Sequence, residues 1–423
     1  MLDIKFIREN TDLVKKACNL KNINLDIDKI LGMDRDLVAL KTEEQNLLTS
    51  KNAITAKIPK ASAEERPSLI AESKAIDEKA KALKPKQEEI ETKLKELMWL
   101  TPQIPSPKAP VGKDDGDNVE VKKWGTLPQF DFTPLDHVQI LEKNNWADFE
   151  RIAKVAGSRS YSLKNEMVLL ELAMHRLAMD KLMSKGFTLV SVPAFAREEA
   201  LYGTGHFPNG RDQAYFIPEH NIYLAGTAEV QINSLHAGEI LKESDLPILY
   251  AGYSPCFRSE AGSYGRDVRG LIRVHQFMKV EQYILCKNDP TESEKWHQIL
   301  LETSEEIVKD LELPYRVVEC CTGDMGAGKV RMYDVEAWVP SEQKYRETHS
   351  CSALHDWQAR RTNVRYRDNE GKVQYVHTLN NTAIASPRIL VPFLECHQQK
   401  DGNIKIPEKL RPYLMGKEFL GKK

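Results

Sequence analysis

The sequence predicts an α+β protein in two parts: an N-terminal antiparallel helical coiled-coil arm, and a larger domain that mixes strands and helices. Three observations predict it. Two apolar seams with alternating three- and four-residue steps mirror each other across residues 30–97. Pro102, Pro105 and Pro107 then stiffen a short connection. Beyond it, runs rich in β-branched and aromatic residues are interspersed with helical ones. A chain of 423 residues is long for one core, so the expected domains are residues 1–110, with a helical hairpin over about 30–100, and residues 111–423.

The totals exclude several classes. Lysine and arginine number 60 against 62 aspartates and glutamates, a net charge of −2. Any nucleic-acid contact must therefore come from local basic patches. The seven cysteines include no C-x-x-C pair and read as reduced thiols; no Cys/His cluster is evident, so no zinc is expected. The first sixteen residues, MLDIKFIRENTDLVKK, carry charge throughout, and no apolar run is long enough to span a bilayer. A cytoplasmic protein without a membrane segment is expected.

Residues 3–20 read as one amphipathic helix through Ile4, Ile7, Leu13 and Val14. The first seam is Ile30, Met33, Leu37, Leu40, Glu44, Leu47, Lys51, Ile54, Ile58; the second is Leu69, Ser73, Ile76, Ala80, Leu83, Gln87, Ile90, Leu94, Leu97. Folding the chain near Ala63 sets Ile58 opposite Leu69, Leu40 opposite Gln87, and Ile30 opposite Leu97. Pro59 and Pro67 flank that tip, where helices stop. Pro85 falls inside the second helix; an interior proline costs about 3 kcal/mol and predicts a bend. Lys51, Lys57, Lys60, Lys74, Lys79 and Lys81 stud the arm. They suit phosphate contacts, or the solvated faces of a coiled coil used for dimerisation.

In the second part, a loop and a short helix are expected over residues 124–149. A helix follows over 165–185, capped by Asn165 and stopped at Gly186, then a strand over 187–192 that ends at Pro193. Residues 215–224 read as a hairpin, after which Thr227-Ala228-Glu229 opens a helix with Thr227 as a candidate cap. A further apolar run ends at Phe257 and meets Arg258-Ser259-Glu260. A polar turn with Gly262, Gly265 and Gly270 leads into a strand whose Arg273, His275, Phe277, Lys279 and Glu281 share one face by period two. Such a face suits a charged, planar ligand; the alternative is a solvated charged hairpin. Arg258 can fork onto a phosphate and a carboxylate together, as a lysine could not. Phe277 offers a ring for a base, and Glu281 an acceptor for an ammonium or hydroxyl.

The remaining elements are a helix over 290–311, a strand over 315–319, a tight loop through Asp324, Met325, Gly326 and Gly328, and a strand over 334–340. In the stretch 345–352, Glu347 and Ser350 offer hard oxygens suited to Mg²⁺ on ATP phosphates. A strand over 375–382 and a helical run to Glu395 follow, with Arg388 between them.

The pattern F-R-S-E at 257–260, a loop, then R-V-H-Q-F-M-K-V-E at 273–281 resembles motif 2 of the class II aminoacyl-tRNA synthetases. Its fuller wording is similar to seryl-tRNA synthetases of the bacterial type. The 165–193 helix, strand and proline resemble motif 1, and the 375–395 strand and helix with Arg388 resemble motif 3. Residues 403–413 are also similar to that family. The resemblance implies an antiparallel β-sheet catalytic domain flanked by helices, a homodimer, and an arm that grips the long variable arm of serine tRNA. It implies activation of L-serine with ATP and Mg²⁺ to seryl-adenylate, then transfer to tRNA(Ser) and to tRNA(Sec).

On the same resemblance, the residues that carry catalysis are Arg258, Glu260 and Arg388. Thr227, Ala228, Glu229, Arg258, Glu281 and Thr382 would hold serine. Arg258, Ser259, Glu260, Val274, Phe277, Glu347, Thr348, His349, Ser350 and Arg388 would hold ATP, with Mg²⁺ on Glu347 and Ser350. His349 stands where the family commonly has serine. The 265–271 loop would meet the tRNA acceptor end. Three other classes compete: a catalytically idle tRNA-binding relative, a ligase loading a carrier protein, and a purely structural coiled coil. The full set of motif residues disfavours the first, the basic-studded arm the second, and the large second part the third.

Overall fold

The structure is a computed structural model that describes residues 1–262 and 269–421. Internal contacts divide the chain into Met1–Pro102 and Gln103–Lys423.

In the first unit, α1 (Ile4–Glu9) and α2 (Thr11–Leu20) replace the single helix expected there. The break falls at Asn10, whose backbone leaves the helical region at φ −131°. The arm is α3 (Ile27–Thr55), capped by Asp26 accepting from the Lys29 amide, and α4 (Arg66–Leu100). At ~1.5 Å per residue they are about 44 and 52 Å long. All eighteen seam positions are withdrawn from solvent, while most of their neighbours are exposed.

The mirror register also holds. Gln87 Nε2 donates to the Leu40 carbonyl at 3.3 Å and to Glu44 Oε2 at 3.0 Å. Nearer the tip, the Thr55 and Ser73 hydroxyls meet at 3.3 Å. At the root, Arg8 forks onto Asp34 at 2.6 and 2.7 Å, and the Leu2 amide reaches Thr101 Oγ1 at 3.4 Å. Helix α4 runs uninterrupted through Pro85, which lies on its exposed side. Two of the six expected nucleic-acid lysines are engaged elsewhere. Lys51 and Lys81 both close on Asp77 across and along the seam, and hold its carboxyl down at about 2. Lys57, Lys60, Lys74 and Lys79 are exposed.

The second unit opens with β1 (Val119–Trp124), a stretch for which no element is expected up to residue 123; all six of its residues are exposed, so no buried face marks it. Then come α5 (His137–Lys143), α6 (Phe149–Ala156), α7 (Glu166–Ser184), β2 (Thr188–Ser191), β3 (Phe195–Ala196) and α8 (Glu198–Thr204). Asn165 does not cap α7 through its side chain, which instead donates to the Asn145 carbonyl. Next are β4 (Tyr215–Ile217), β5 (Ile222–Leu224), α9 (Glu229–Ser234), β6 (Ile240–Lys242), β7 (Ile248–Phe257) and β8 (Gln276–Cys286). The expected acceptor-end loop, 265–271, lies outside the described residues up to position 268. The chain continues with α10 (Pro290–Asp310), β9 (Tyr315–Glu319), β10 (Arg331–Val339), β11 (Lys344–His355) and α11 (Trp357–Thr362). It then forms β12 (Arg365–Arg367), β13 (Val373–Tyr375), β14 (His377–Ser386) and α12 (Leu390–His397). Strand β14 runs four residues past its expected end at Thr382, and α12 starts only after Pro387 and Arg388.

Eight strands form one sheet in the order β1-β9-β10-β11-β14-β8-β7-β2. Every pairing is antiparallel except β2 with β7. Helices α7 and α10 cover one face, joining Met174, Leu177, Leu300 and Ile307 to Ile284, Val335 and Leu379 in the main core. Two polar residues on that face, Gln282 and the facing Asn381, both turn to α10 and bond Ser304 Oγ, at 3.0 and 2.8 Å. The other face of the same strands is left for chemistry. Among the described residues, no helix is long and apolar enough to cross a membrane.

Candidate active site

The open face of β8, β11 and β14 floors a cleft of about 330 Å³. Period two delivers Phe277, Lys279 and Glu281 of β8 to it. The strand starts at Gln276, so His275 leaves the expected face: its amide donates to the Arg159 carbonyl and Nδ1 lies 3.0 Å from the Arg258 carbonyl. Arg273 still lines the cleft and pairs with Glu260 at 2.6 Å. Glu260 sits at φ +53°, a left-handed backbone that is uncommon for glutamate. The Arg258 guanidinium lies over the Phe277 ring, 5.2 Å from its centre.

On β14, Thr382 is the direct cross-strand partner of Glu281, and both line the cleft. Arg388, just past that strand, donates to the Ile272 and Glu347 carbonyls at 3.3 Å each, with its Nη1 3.7 Å from the Glu347 carboxylate.

Strand β11 explains itself through a bulge. Val335 pairs with His349 and Glu336 with Glu347, so Thr348 is an extra residue on β11. In a regular strand, Glu347 and Ser350 would face opposite ways; one inserted residue resets the alternation. Glu347, Thr348, Ser350 and Ser352 accordingly all line the cleft.

The same parity turns the side chain of one expected site residue out of the cleft. His349 is 1% exposed and turned away, with Nε2 3.0 Å from the Ala383 carbonyl and Nδ1 2.8 Å from Thr348 Oγ1. Burial lowers its pKa to about 4, so it stays neutral. Two further expected residues keep their side chains out of the cleft for local reasons. Ala228 is wholly buried and packs into the gap that Gly252 leaves, where an added Cβ would stand 2.8 Å from the Ala228 methyl. Ser259 does not line the cleft: its hydroxyl donates to the Asp212 carbonyl and its amide to Gln213. Thr227, Glu229, Arg258, Glu260, Val274, Phe277, Glu281, Glu347, Thr348, Ser350, Thr382 and Arg388 are all brought together.

The cleft also holds residues to which sequence reasoning gave no role. Glu229 Oε1 accepts from Gln358 Nε2 at 2.6 Å and from Asn380 Nδ2 at 3.0 Å. Nothing in the sequence ties these three together, because they come from α9, α11 and β14. Lys279 donates to Thr227 Oγ1 at 2.7 Å and closes on the Glu281 carboxylate. His206 and Lys329 complete the wall; short glycine-bearing runs, G-T-G-H at 203–206 and G-A-G-K at 326–329, were the available signals. Burial raises the pKa of Glu229 and of Glu281; Gln358 foremost opposes this at Glu229, and Lys279 at Glu281. Burial, then Arg258, Lys279 and Lys329, push His206 down to about 4.

Glu347 and Ser350 give a carboxylate and a hydroxyl on one wall. The buried Asp334 stands opposite Ser350 in the sheet. This all-oxygen donor set fits Mg²⁺. Elsewhere, Cys320, Asp324 and Asp334 bring donor atoms within 4.8 Å of one another. Burial holds the Cys320 thiol well above its usual range.

Comparison with known proteins agrees with this geometry. Residues 1–105 match the family model for the seryl-tRNA synthetase N-terminal domain. Residues 216–397 match that for the tRNA synthetase class II core domain (G, H, P, S and T). The chain is 59% identical over 421 residues to a serine–tRNA ligase of Deinococcus radiodurans, covering 100% of this chain and 99% of the relative. Among solved structures, it is similar to seryl-tRNA synthetase from Pyrococcus horikoshii complexed with ATP, at 40% identity and a TM-score of 0.93 with both chains fully covered. It is also similar to cytoplasmic serine–tRNA ligase from Naegleria fowleri in complex with AMP, at 28% identity and a TM-score of 0.89, over 100% of this chain and 99% of that one.

Proposed function

The chain belongs to the seryl-tRNA synthetases, class II aminoacyl-tRNA synthetases that act as serine–tRNA ligases, and from that premise we propose how its cleft performs the reaction in two steps. The serine carboxylate attacks the α-phosphorus of ATP in line; pyrophosphate leaves and seryl-adenylate remains. The terminal 3′-hydroxyl of the tRNA then attacks the adenylate carbonyl, releasing AMP. Catalysis here is positioning and charge dispersal.

Arg258 bridges the α-phosphate and the serine carboxylate through its planar fork. Adenine stacks between Phe277 and Arg388, beside Val274, with Glu260 accepting from its amino group. Glu347 and Ser350 would hold Mg²⁺, which would supply positive charge to the phosphates. Glu229 takes the serine ammonium, while Glu281 and Thr382 take its hydroxyl. The observation that carries this assignment is the direct pairing of Thr382 with Glu281 in the sheet. It sets two hydrogen-bonding groups side by side on the cleft floor. A site built to pair a hydroxyl strongly rejects alanine, whose binding would leave those groups unmatched. Threonine must be excluded by fit.

The exposed lysines Lys57, Lys60, Lys74 and Lys79 contact phosphates of tRNA(Ser), and of tRNA(Sec), by shape rather than base sequence. The setting is cytoplasmic. The working form is a homodimer, a reading supported by the apolar, exposed Val168, Leu169 and Leu172 of α7.

The test is amino-acid-dependent exchange of labelled pyrophosphate into ATP, run across all twenty amino acids with Mg²⁺. Exchange with serine alone is expected. Exchange with another amino acid would keep the fold and sink the side-chain assignment. No exchange from folded protein would refute activation altogether.

A further inference from the structure

Lys279 is 6% exposed and lies on β8 two residues before Glu281, so both side chains project from the same face into the cleft. Its ammonium donates to Thr227 Oγ1 at 2.7 Å and closes on the Glu281 carboxylate. One buried charge thus spans the loop before α9 and the floor of the sheet. A buried lysine is costly unless it is paired and hydrogen-bonded; a methionine would fill the same space without that cost.

Thr227 Oγ1 also accepts from the Glu229 amide, at 3.2 Å. A hydroxyl oxygen has two lone pairs, and the Lys279 ammonium and the Glu229 amide fill both. The Thr227 hydroxyl can then meet a ligand only as a donor. Glu281 is in the reverse position: ionised against Lys279, it has no proton to offer and can only accept.

We propose that Lys279 is a positioning residue that sets hydrogen-bond polarity in the amino-acid pocket, fixing Thr227 as donor and Glu281 as acceptor, so that a substrate hydroxyl is read by its proton. The inference rests on the assignment of Glu281 to the serine hydroxyl and adds the reason that assignment has a direction. Lys279 and Arg258 favour the ionised form of Glu281 and Glu229 opposes it; the buried thiols of Cys256 and Cys351 also feel its charge. Lys329 and a neutral His206 stand on the same cleft wall. Burial alone drives the Glu281 carboxyl upward, and Lys279 is the largest opposing influence. Without the lysine, the carboxyl's pKa moves further up and its ionised form is held less firmly.

The experiment is serine-dependent pyrophosphate exchange by K279M, K279R, E281Q and the K279M/E281Q double variant, from pH 6 to 9 in steps of about half a unit. K279M is expected to lose about 10- to 100-fold in kcat/KM for serine at pH 7, while KM for ATP moves by less than about twofold. Its serine kcat/KM profile gains an acid limb, rising with pH where the wild type is flat. K279R keeps the cation and the flat profile. E281Q loses serine affinity without any limb, and adding K279M to it costs less than about a further threefold.

A flat K279M profile beside an impaired E281Q overturns the proposal alone. An E281Q variant with unchanged serine kinetics overturns the pocket assignment as well. Should K279M not fold, K279R decides: a flat profile supports the proposal and an acid limb refutes it.

Discussion

Replacing Thr382 by valine removes one hydroxyl and almost no volume. Thr382 is 9% exposed and lines the cleft directly opposite Glu281. Among the described residues, its Oγ1 makes no hydrogen bond inside the protein; only its backbone carbonyl is engaged, accepting from Ser304 Oγ at 2.7 Å. The variant therefore breaks no internal bond, and its stability should stay within about 0.5 kcal/mol of wild type. The loss falls on the ligand. One neutral hydrogen bond is worth about 0.5–1.5 kcal/mol net, which is about a 2- to 13-fold rise in KM for serine, with KM for ATP unchanged. The assay is pyrophosphate exchange titrated separately in serine and in ATP, alongside thermal unfolding. Serine kinetics equal to wild type would refute the pairing of Thr382 with the substrate hydroxyl. A drop in melting temperature would instead show that the hydroxyl serves the fold.

Three further outcomes follow from the geometry. An added Cβ at Gly252 would stand 2.4 Å from Ile232 Cδ1 and 2.8 Å from the Ala228 methyl, so G252A should push α9 off the sheet. It should cost about 1–3 kcal/mol by overpacking and raise KM for serine more than KM for ATP; equal changes would break the link between α9 and the serine pocket. His175, His297 and His349 are buried with pKa values held down at about 4. Each is neutral in the fold but protonates below about 6.5 once unfolded. Stability is then full above that pH and falls as pH drops toward 4, by up to about 3 kcal/mol per histidine. Urea midpoints that stay constant from pH 6.5 to 4.5 would contradict this. Deleting residues 30–100 should leave serine-dependent exchange intact and reduce tRNA charging by about 100-fold or more; parallel loss of both would deny that activation is independent of the arm.

What the sequence made legible was what repeats. The arm's register came from counting seam positions, and Gln87 bonds the Leu40 carbonyl as that counting required. Period two placed Phe277 and Glu281 on a common face, again correctly, because β8 is regular there. Counting failed where the backbone changed step. The resemblance named Glu347, Thr348, His349 and Ser350 together, and a run of four cannot say which side chains face the cleft; that is decided by the bulge in which Thr348 is an extra residue. Convergence across distance was also hidden. The hydrogen bonds that hold Glu229 come from residues 129 and 151 positions away, and no local pattern marks them. Ala228 sits between two cleft residues yet faces core, since a strand-to-helix turn does not carry three consecutive side chains in one direction.

The polar steps in the arm's seam have a mechanical consequence. Sliding α4 along α3 by one heptad would move it about 10 Å. It would separate Gln87 from Glu44 and Lys51 from Asp77, leaving half-buried charges without partners. The tie from Leu2 to Thr101 at the root resists the same motion. Displacement on that scale exceeds the ~8 Å over which physiological salt screens charge, so a slip would change the spacing of Lys74 and Lys79 on α4 against Lys57 and Lys60 by more than a screening length. The hairpin thus behaves as a ruler with a fixed zero: the spacing of Lys74 and Lys79 against Lys57 and Lys60 is held constant. A length can be checked against that span, whatever bases lie along it.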